Sequence, residues 1–287
     1  MTNPLASPLA ATTDDDARLV TQAQQGDRDA LDRLIRLHRP FIYNVAWKMV
    51  HDPHDAADLT QETLIKVITK LGQFDGKSAF RTWLYRIVVN EFLQTKRRSR
   101  ETIFESFDKH AAGIDALPNP DVTAEERLDL AEASKEMRMR CMSGMLLCMT
   151  REQRLLIILG QYFGIDHTTG AEIFETTKAN YRVKLHRARQ QLYNYMNDKC
   201  GLVNRANPCR CPKKAKALSG TPALDPATFQ FARGYRNTIA EYVAERHEEA
   251  EDAFEQEYVR LFREHPAKTD FPDETVLGEL LDYFEVS

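Results

Sequence analysis

The side chains with the clearest potential to bind a ligand are concentrated between residues 177 and 189. Residues 167–174 are predicted to form a short helix, 175–177 a turn, and 178–195 a second helix rich in Lys and Arg. The DNA major groove admits one α-helix, where Asn and Arg make paired hydrogen bonds to base edges and Lys and Arg contact phosphates. Ala171 is small enough to let the two helices cross closely. The segment predicts a helix-turn-helix; the alternative is a charged helix face that contacts only solvent.

A second concentration of charged side chains lies between residues 55 and 87. Asp55, Asp58 and Glu62 recur at helical spacing, which places three carboxylates on one solvated face. The apolar stripe of the same helix comprises Leu64, Val67, Ile68 and Leu71. After a glycine-bearing break at 72–78, residues 80–87 carry another apolar stripe with Arg81 and Arg86 beside it. Periodicity alone predicts two amphipathic helices and no particular function.

The sequence motifs in these segments are more specific than their hydrophobic periodicity. D-x-x-Q-E-T-x-x-K-V from Asp58, followed by F-R-T-W-L-Y-R-I from Phe80, resembles region 2 of bacterial sigma factors of the extracytoplasmic-function group. Those proteins are promoter-recognition subunits of RNA polymerase. The string L-H-R-A-R-x-x-L from Leu185 resembles the end of the recognition helix in region 4 of the same group. Two independent matches in the right order, separated by a linker, indicate this family.

The resemblance implies roles for the residues of region 2. The acidic face would dock on the clamp helices of the largest polymerase subunit, and its residues are Asp55, Asp58, Gln61 and Glu62. The loop at 72–78 would capture an unstacked base of the −10 element, with Phe74, Asp75 and Lys77 as candidates. Salt-sensitive contacts along the −10 strand are assigned to Arg81, Arg86, Asn90, Gln94, Lys96, Arg97 and Arg98. Trp83 is assigned to core packing rather than to base stacking.

The resemblance also assigns the second helix of the helix-turn-helix to the −35 element. Its DNA-binding residues would be Thr177, Lys178, Asn180, Tyr181, Arg182, Lys184, Arg187 and Arg189. The sequence departs from the family pattern at three places. Glu175 stands where the turn usually has Gly, Gly170 replaces an apolar residue, and Thr168-Thr169 replace an acidic pair. We therefore expect looser packing in region 4 and a −35 preference that relatives do not predict.

The fold class predicted from these patterns is all-α, with two helical domains joined by a linker and an acidic helical extension. Strand signals are nearly absent, and Gly and Pro punctuate the stretch before residue 121. A capping-box pattern at Thr123–Glu126 marks the start of the second domain. The predicted boundaries are a disordered tail at 1–15, region 2 at 16–100, a linker at 101–122, region 4 at 123–198, a basic cysteine-bearing segment at 199–217 and the acidic extension at 218–287.

Composition narrows the class of protein. The chain has 287 residues, a net charge of −4 and a mean hydropathy of −0.50. No apolar run approaches the roughly 20 residues of a membrane helix, and the first residues lack the basic and apolar parts of a signal peptide. We expect a soluble cytoplasmic protein. Phosphate-loop, dinucleotide and H-E-x-x-H motifs are missing, and no catalytic triad is recognisable, so an enzyme is not expected.

The cysteines raise a separate possibility. Cys200, Cys209 and Cys211 could bind zinc or copper(I) or form a disulfide under oxidants, although no cofactor is certain. Three thiols leave a tetrahedral zinc site one ligand short, and His186 or Cys148 are the candidates to complete it. The basic residues nearby, Arg205, Arg210, Lys213 and Lys214, are expected to lower the thiol pKa values. Buried structural thiols are the alternative, and Cys141 and Cys148 are expected in the core.

Core RNA polymerase and promoter DNA are the expected partners, and an anti-sigma protein is left open. The basic residues 181–217 adjoin the acidic residues 218–287, so the acidic extension could cover the recognition helix until a signal releases it. A helical hairpin packed elsewhere is the alternative for this extension. Two other functions stay open: a sigma-like helix-turn-helix regulator that does not support initiation, and a metal- or redox-responsive transcription factor.

Overall fold

The computed structural model describes residues 14–95 and 106–229, and within these ranges every regular element is helical. This confirms the all-α prediction. Most of the predicted acidic extension and the residues Lys96, Arg97 and Arg98 lie outside the described residues. The α-helices are α1 (Asp14–Gln24), α2 (Arg28–Val50), α3 (Pro53–Lys70), α4 (Phe80–Gln94), α5 (Phe107–Ala116), α6 (Ala124–Asp129), α7 (Ala131–Leu147), α8 (Arg151–Ile157), α9 (His167–Ile173), α10 (Lys178–Lys199) and α11 (Cys211–Leu218).

Short irregular helices connect or extend these elements. They are 3₁₀ turns at Leu71–Gln73, Pro222–Leu224 and Pro226–Thr228, and a π-helical turn at Ile158–Tyr162. The described chain divides into two compact units, one containing residues 14–95 and 158–183 and the other containing 106–157 and 184–229. The predicted region boundaries stay predictions.

The first unit is built on α1–α4 and α9. Asp27 caps α2 by accepting from the Ala30 amide, and Asp52 caps α3 by accepting from the His54 and Asp55 amides. Pro53 begins α3, where its missing N–H costs nothing. Apolar faces of these helices bury the ring of Trp47 completely and stack Phe41 on Tyr85 with ring centroids 3.8 Å apart. This packing fixes α3 and α4, which carry the predicted polymerase and −10 residues.

A buried ionic network crosses the first unit. The carboxylate of Asp16 accepts from Arg81 Nε at 2.7 Å and lies 3.3 Å from His38 Nε2, with no exposed side-chain surface of its own. Burial by itself raises the pKa of Asp16, but the hydrogen bonds and charges of His38 and Arg81 outweigh it and hold that pKa below its usual value. Asp16 therefore belongs to the buried interior of the first unit.

The second unit contains two helices that the sequence did not predict. Helix α5 lies inside the predicted linker at 101–122, and Ser106 caps it by accepting from the Lys109 amide. Helix α11 begins inside the basic segment at 199–217, for which no helix was predicted. The capping box at Thr123 and Glu126 is confirmed, since both reciprocal hydrogen bonds are present.

Three lysines of α11 bond to the stretch of chain that runs from the end of α5 into α6. Lys213 and Lys216 pair with Asp121 and Glu126 at 2.9 and 2.6 Å, and Lys214 donates to the carbonyls of Ile114 and Leu117 at 2.8 and 2.6 Å. Three of the basic side chains in this segment therefore stabilise the fold through these contacts.

The helix-turn-helix forms from α9, its turn and the start of α10. Asp166 caps α9 through the amides of Thr168 and Thr169 at 2.8 and 3.1 Å. A Cβ at Gly170 would lie 2.3 Å from Cζ of Tyr181, so Gly170 leaves the space that the Tyr181 ring fills. The expectation of looser packing is therefore wrong at this position, because the absent side chain is replaced by a ring from the second helix.

Candidate nucleic-acid interface

The predicted polymerase-binding residues share one accessible face of α3. Asp58 is exposed, while Asp55, Gln61 and Glu62 are half-buried. On the opposite face Leu59, Leu64 and Val67 are buried against the rest of the unit. The capped, amphipathic helix therefore holds three carboxylates in a fixed row, which is a negative surface suited to a basic partner.

A polar cavity of about 250 Å³ lies between α3 and α4. Its lining residues are Lys66, Lys70, Gln73, Trp83, Arg86, Ile87, Asn90, Glu91 and Gln94. Trp83 and Ile87 supply apolar wall, while amide, guanidinium and ammonium groups supply hydrogen-bond donors. An unstacked base needs this combination of an aromatic or apolar wall and polar groups at its edge.

The wall of this cavity is supported from behind by two aromatic rings. Phe74 and Phe80 lie 5.4 and 5.6 Å from Trp83, ring centroid to centroid. Gln24 of α1 donates to the carbonyls of Leu71 and Phe74 at 2.9 and 2.8 Å, which fixes the loop that carries Phe74. Trp83 is half-buried rather than fully buried. It packs on this aromatic cluster and also lines the cavity, so its assignment to core packing alone is incomplete.

The predicted base-capturing loop contributes less to the cavity than expected. Asp75 and Lys77 are exposed and pair with each other at 2.5 Å, and neither lines the cavity. The hydrogen bond from Lys77 lowers the pKa of Asp75, and the same contact raises the pKa of Lys77. Gln73 is the loop residue that does line the cavity.

Two residues assigned to DNA from the sequence are buried. Arg81 pairs with Asp16 inside the first unit, so its guanidinium serves the fold rather than the −10 strand. Tyr181 has no exposed surface and packs against Phe174 and His167, at ring-centroid distances of 5.6 and 6.1 Å. Both assignments to DNA contacts are wrong for this structure, because neither side chain reaches the surface.

The other predicted −35 residues lie along the accessible side of α10. Thr177, Lys178, Asn180, Arg182 and Arg187 are exposed, and Lys184 and Arg189 are half-buried. The side chain of Asn180 donates to the Thr176 hydroxyl at 2.7 Å, and Lys184 pairs with Glu152 at 2.6 Å. The exposed set is what a recognition helix presents to a major groove.

The turn of the helix-turn-helix contacts two cavity residues. Arg86 Nε lies 3.7 Å from the carboxylate of Glu175 and 3.3 Å from the carbonyl of Glu172, and Asn90 donates to Glu175 at 3.4 Å. Glu175 has φ 50°, in the left-handed region that favours the glycine usual at this turn. Arg86 and Asn90, which the sequence assigned to the −10 strand, are therefore engaged with the helix-turn-helix in this structure.

Five cavity residues, Lys66, Lys70, Gln73, Ile87 and Glu91, were not predicted from the sequence. Lys66 and Lys70 are one helical turn apart on α3, and Lys66 forms an ion pair with Glu91 of α4. Spacing could have identified the positions that share a face with Asn90 and Gln94. The pairing of that face with Lys66 and Lys70 depends on the crossing of two helices, which spacing does not give.

The thiols do not behave as the sequence suggested. Burial raises the pKa of Cys209, and it raises the pKa of Cys211 to about 12, since desolvation outweighs the nearby cations. The expected lowering of thiol pKa values is therefore wrong for these two. Cys141 and Cys148 are half-buried rather than fully in the core. Within residues 14–95 and 106–229, no group of three or more His, Cys, Asp or Glu side chains is already arranged to hold a metal ion.

Comparison with known proteins gives consistent results. Residues 34–102 match the sigma-70 region 2 family model. The RNA polymerase sigma-H factor of Pseudomonas aeruginosa is 43% identical over 79 residues, which are 28% of this chain and 41% of that protein. The extracytoplasmic-function sigma factor SigW of Bacillus subtilis is 24% identical over 185 residues, covering 62% of this chain and 95% of SigW. SigE of Mycolicibacterium smegmatis is 32% identical over 181 residues, or 60% and 64% of the two chains.

The chain is thus similar to extracytoplasmic-function sigma factors over about 60% of its length. A solved structure of CnrH in complex with the cytosolic domain of CnrY is 23% identical, covers 64% of this chain and 99% of that chain, and has a TM-score of 0.46. The acidic face of α3 and the whole cavity lie inside the stretch that matches region 2. None of the helices in the described ranges combines the length and apolar character needed to cross a bilayer.

Proposed function

We propose that this sigma factor binds core RNA polymerase through the carboxylate row of α3 and holds an unpaired base of the −10 element in the cavity between α3 and α4. The exposed residues of α10 would read the −35 element. The observation that carries the proposal is the cavity itself, because it combines the Trp83 wall with Arg86 and Asn90 inside region 2. All nucleotide chemistry would stay in the polymerase, so this chain acts in the cytoplasm by binding and has no enzymatic role.

The cavity makes a testable prediction about base selection. We expect Trp83→Ala to weaken capture of the −10 base by roughly 5- to 150-fold, because base–aromatic stacking is worth about 1–3 kcal/mol. The measurement is selection from forked DNA with a randomised single-stranded −10 segment, using polymerase reconstituted with each variant. Wild-type protein should enrich one base at one position, and Trp83→Ala and Asn90→Ala should lose that enrichment.

Leu93→Ala is the matched control, since Leu93 lies on the same helix, is 40% exposed and does not line the cavity. It should select the same base as the wild type. Unchanged enrichment with both Trp83→Ala and Asn90→Ala, in protein that still binds polymerase, would refute the cavity as the base-binding site.

A further inference from the structure

The three C-terminal cysteines are brought to one side of the second unit by α11 and the loop that precedes it. Cys200 directly follows α10, Cys211 begins α11, and α11 packs on α7, which carries Cys141. Arg140, the residue before Cys141, donates to the carbonyl of Ala223 just after α11 at 2.8 Å, which places this part of α7 beside the C-terminal segment. Lys214 anchors α11 from the other side by bonding to the carbonyls of Ile114 and Leu117.

Backbone contacts close the loop between Cys200 and Cys211. A Cβ at Gly201 would lie 2.2 Å from the carbonyl oxygen of Cys209, so the chain after Cys200 lies directly against Cys209. Arg210 donates to the carbonyls of Cys209 and Arg205 at 2.9 and 2.7 Å. Asn207 donates to the carbonyl of Asn197 at 2.9 Å, which ties the loop to the last turns of α10.

The surroundings of two of these thiols raise their pKa values. The pKa of Cys141 is raised well above its usual value, first by burial and then by the charges of Cys211, Cys200 and Cys209. The pKa of Cys211 is likewise raised by burial and by Cys200 and Cys209.

We propose that Cys141, Cys200, Cys209 and Cys211 form one binding site for a thiophilic cation, with Zn²⁺ as the first candidate. Four thiolates are a common ligand set for structural zinc, and soft sulfur ligands select Zn²⁺ or Cu(I) over hard cations. The side chains are not yet at coordinating positions, so the site would close around the ion by rotation of the cysteines. The bound ion would join α7, the end of α10 and α11 into one rigid element.

This assignment replaces both fourth ligands suggested by the sequence. The thiol of Cys148 points elsewhere, donating to the carbonyls of Gly144 and Ser106 at 3.2 and 3.3 Å. His186 is exposed on α10, more than three helical turns before Cys200. Cys141 is the remaining cysteine, and it lies on α7, the helix on which α11 packs.

Cobalt provides the direct test, because Co²⁺ bound by thiolates shows charge-transfer absorption and tetrahedral sites show intense visible bands. We expect the reduced, metal-free full-length chain to bind one Co²⁺ with the spectrum of a four-thiolate site, and Zn²⁺ to displace it. Cys141→Ser should weaken binding by about 100-fold or more and change the spectrum, since it removes a ligand. Cys148→Ser is the matched control and should bind as the wild type does.

A second measurement uses the unaltered protein and does not depend on the variants folding. Alkylation of the native chain, read by peptide mass spectrometry, should be suppressed by Zn²⁺ at the four proposed ligands and unchanged at Cys148. Stoichiometric binding of Cu(I) with the same protection pattern would support the thiol site and assign copper as its ion. No Co²⁺, Zn²⁺ or Cu(I) binding, or protection of Cys148 in place of Cys141, would overturn the proposal.

Discussion

Asp16→Ala is expected to lower the free energy of unfolding by about 3–5 kcal/mol, because it leaves the guanidinium of Arg81 buried without its carboxylate. Asp16 has no exposed side-chain surface, and from α1 it bonds to Arg81 of α4 and to His38 of α2. Removing the Asp16 carboxylate therefore removes the contacts by which one side chain of α1 joins α2 and α4. Urea unfolding followed by circular dichroism measures the change in midpoint.

The matched control for this substitution is Asp15→Ala. Asp15 is the preceding residue, its side chain is 73% exposed, and its partner Arg18 is also exposed. Exposed ion pairs contribute about 0–1 kcal/mol, so the control should leave the midpoint nearly unchanged. Equal losses from the two substitutions would show that the buried network does not stabilise the fold.

The same network predicts how stability depends on pH. The pKa of Asp16 is lower in the folded chain than in the unfolded one, so its stabilising contribution is fully present above the ordinary carboxyl pKa of about 3.9. That contribution is lost as the pH falls from about 3.9 through the lowered folded pKa. The difference in stability between the wild type and Asp16→Ala should therefore be constant near neutral pH and shrink in acid.

Reversal of two charges on α3 is expected to weaken binding to core polymerase by about 100-fold or more. In the double variant Asp58→Arg/Glu62→Arg, two attractive charges become repulsive against a basic partner, and like-charge contacts at an interface cost several kcal/mol. The fold should be unaffected, because Asp58 is exposed and Glu62 is half-buried on the accessible face. The measurement is the dissociation constant of fluorescently labelled protein and purified core enzyme at two salt concentrations.

The matched control carries the same change in net charge at other sites. Asp15→Arg/Asp29→Arg alters exposed acidic residues on α1 and α2, away from the carboxylate row. It should bind core enzyme within about threefold of the wild type, apart from a small general effect that salt screens. Equal weakening by both pairs would mean that net charge, and not the α3 surface, determines binding.

Much of the first unit could be predicted because its signals are local. The apolar stripe of α3 and, in the second unit, the capping box at Thr123 depend on residues within one or two helical turns. The carboxylate row follows from the same spacing, so its place on one face needed no tertiary information. The motifs that resemble sigma region 2 predicted a function, which hydrophobic periodicity alone could not do.

The errors share a physical cause, which is that residue type does not fix burial. Arg81 was assigned to DNA from the resemblance to region 2, but its partner Asp16 lies 65 residues earlier in the chain and holds it in the interior. Tyr181 was assigned to the recognition surface, whereas the space left by Gly170 buries its ring. Trp83 has one side on an aromatic cluster and the other on a cavity, and spacing cannot distinguish those two sides.

Sequence-based prediction has the same limit for the thiols, whose neighbours in the fold are farther away along the chain. A count of nearby basic residues predicted lowered thiol pKa values, but the packing of α11 on α7 makes desolvation the larger effect. Cys141 was expected in an apolar core because its neighbours in sequence are Met and Leu. Only the folded chain relates it to the C-terminal cysteines.

Transcription from a pool of randomised promoter templates, with purified core polymerase and reducing buffer, is the direct test of whether this protein initiates transcription at promoters. Templates transcribed only when this protein is present should share −35 and −10 elements, and their start sites should align at one distance from the −10 element. Asp58→Arg/Glu62→Arg should abolish these transcripts, and Asp15→Arg/Asp29→Arg should retain them. If the protein bound DNA but no transcript depended on its presence, the sigma-factor role would be refuted. A sigma-like regulator that does not initiate transcription would then be favoured.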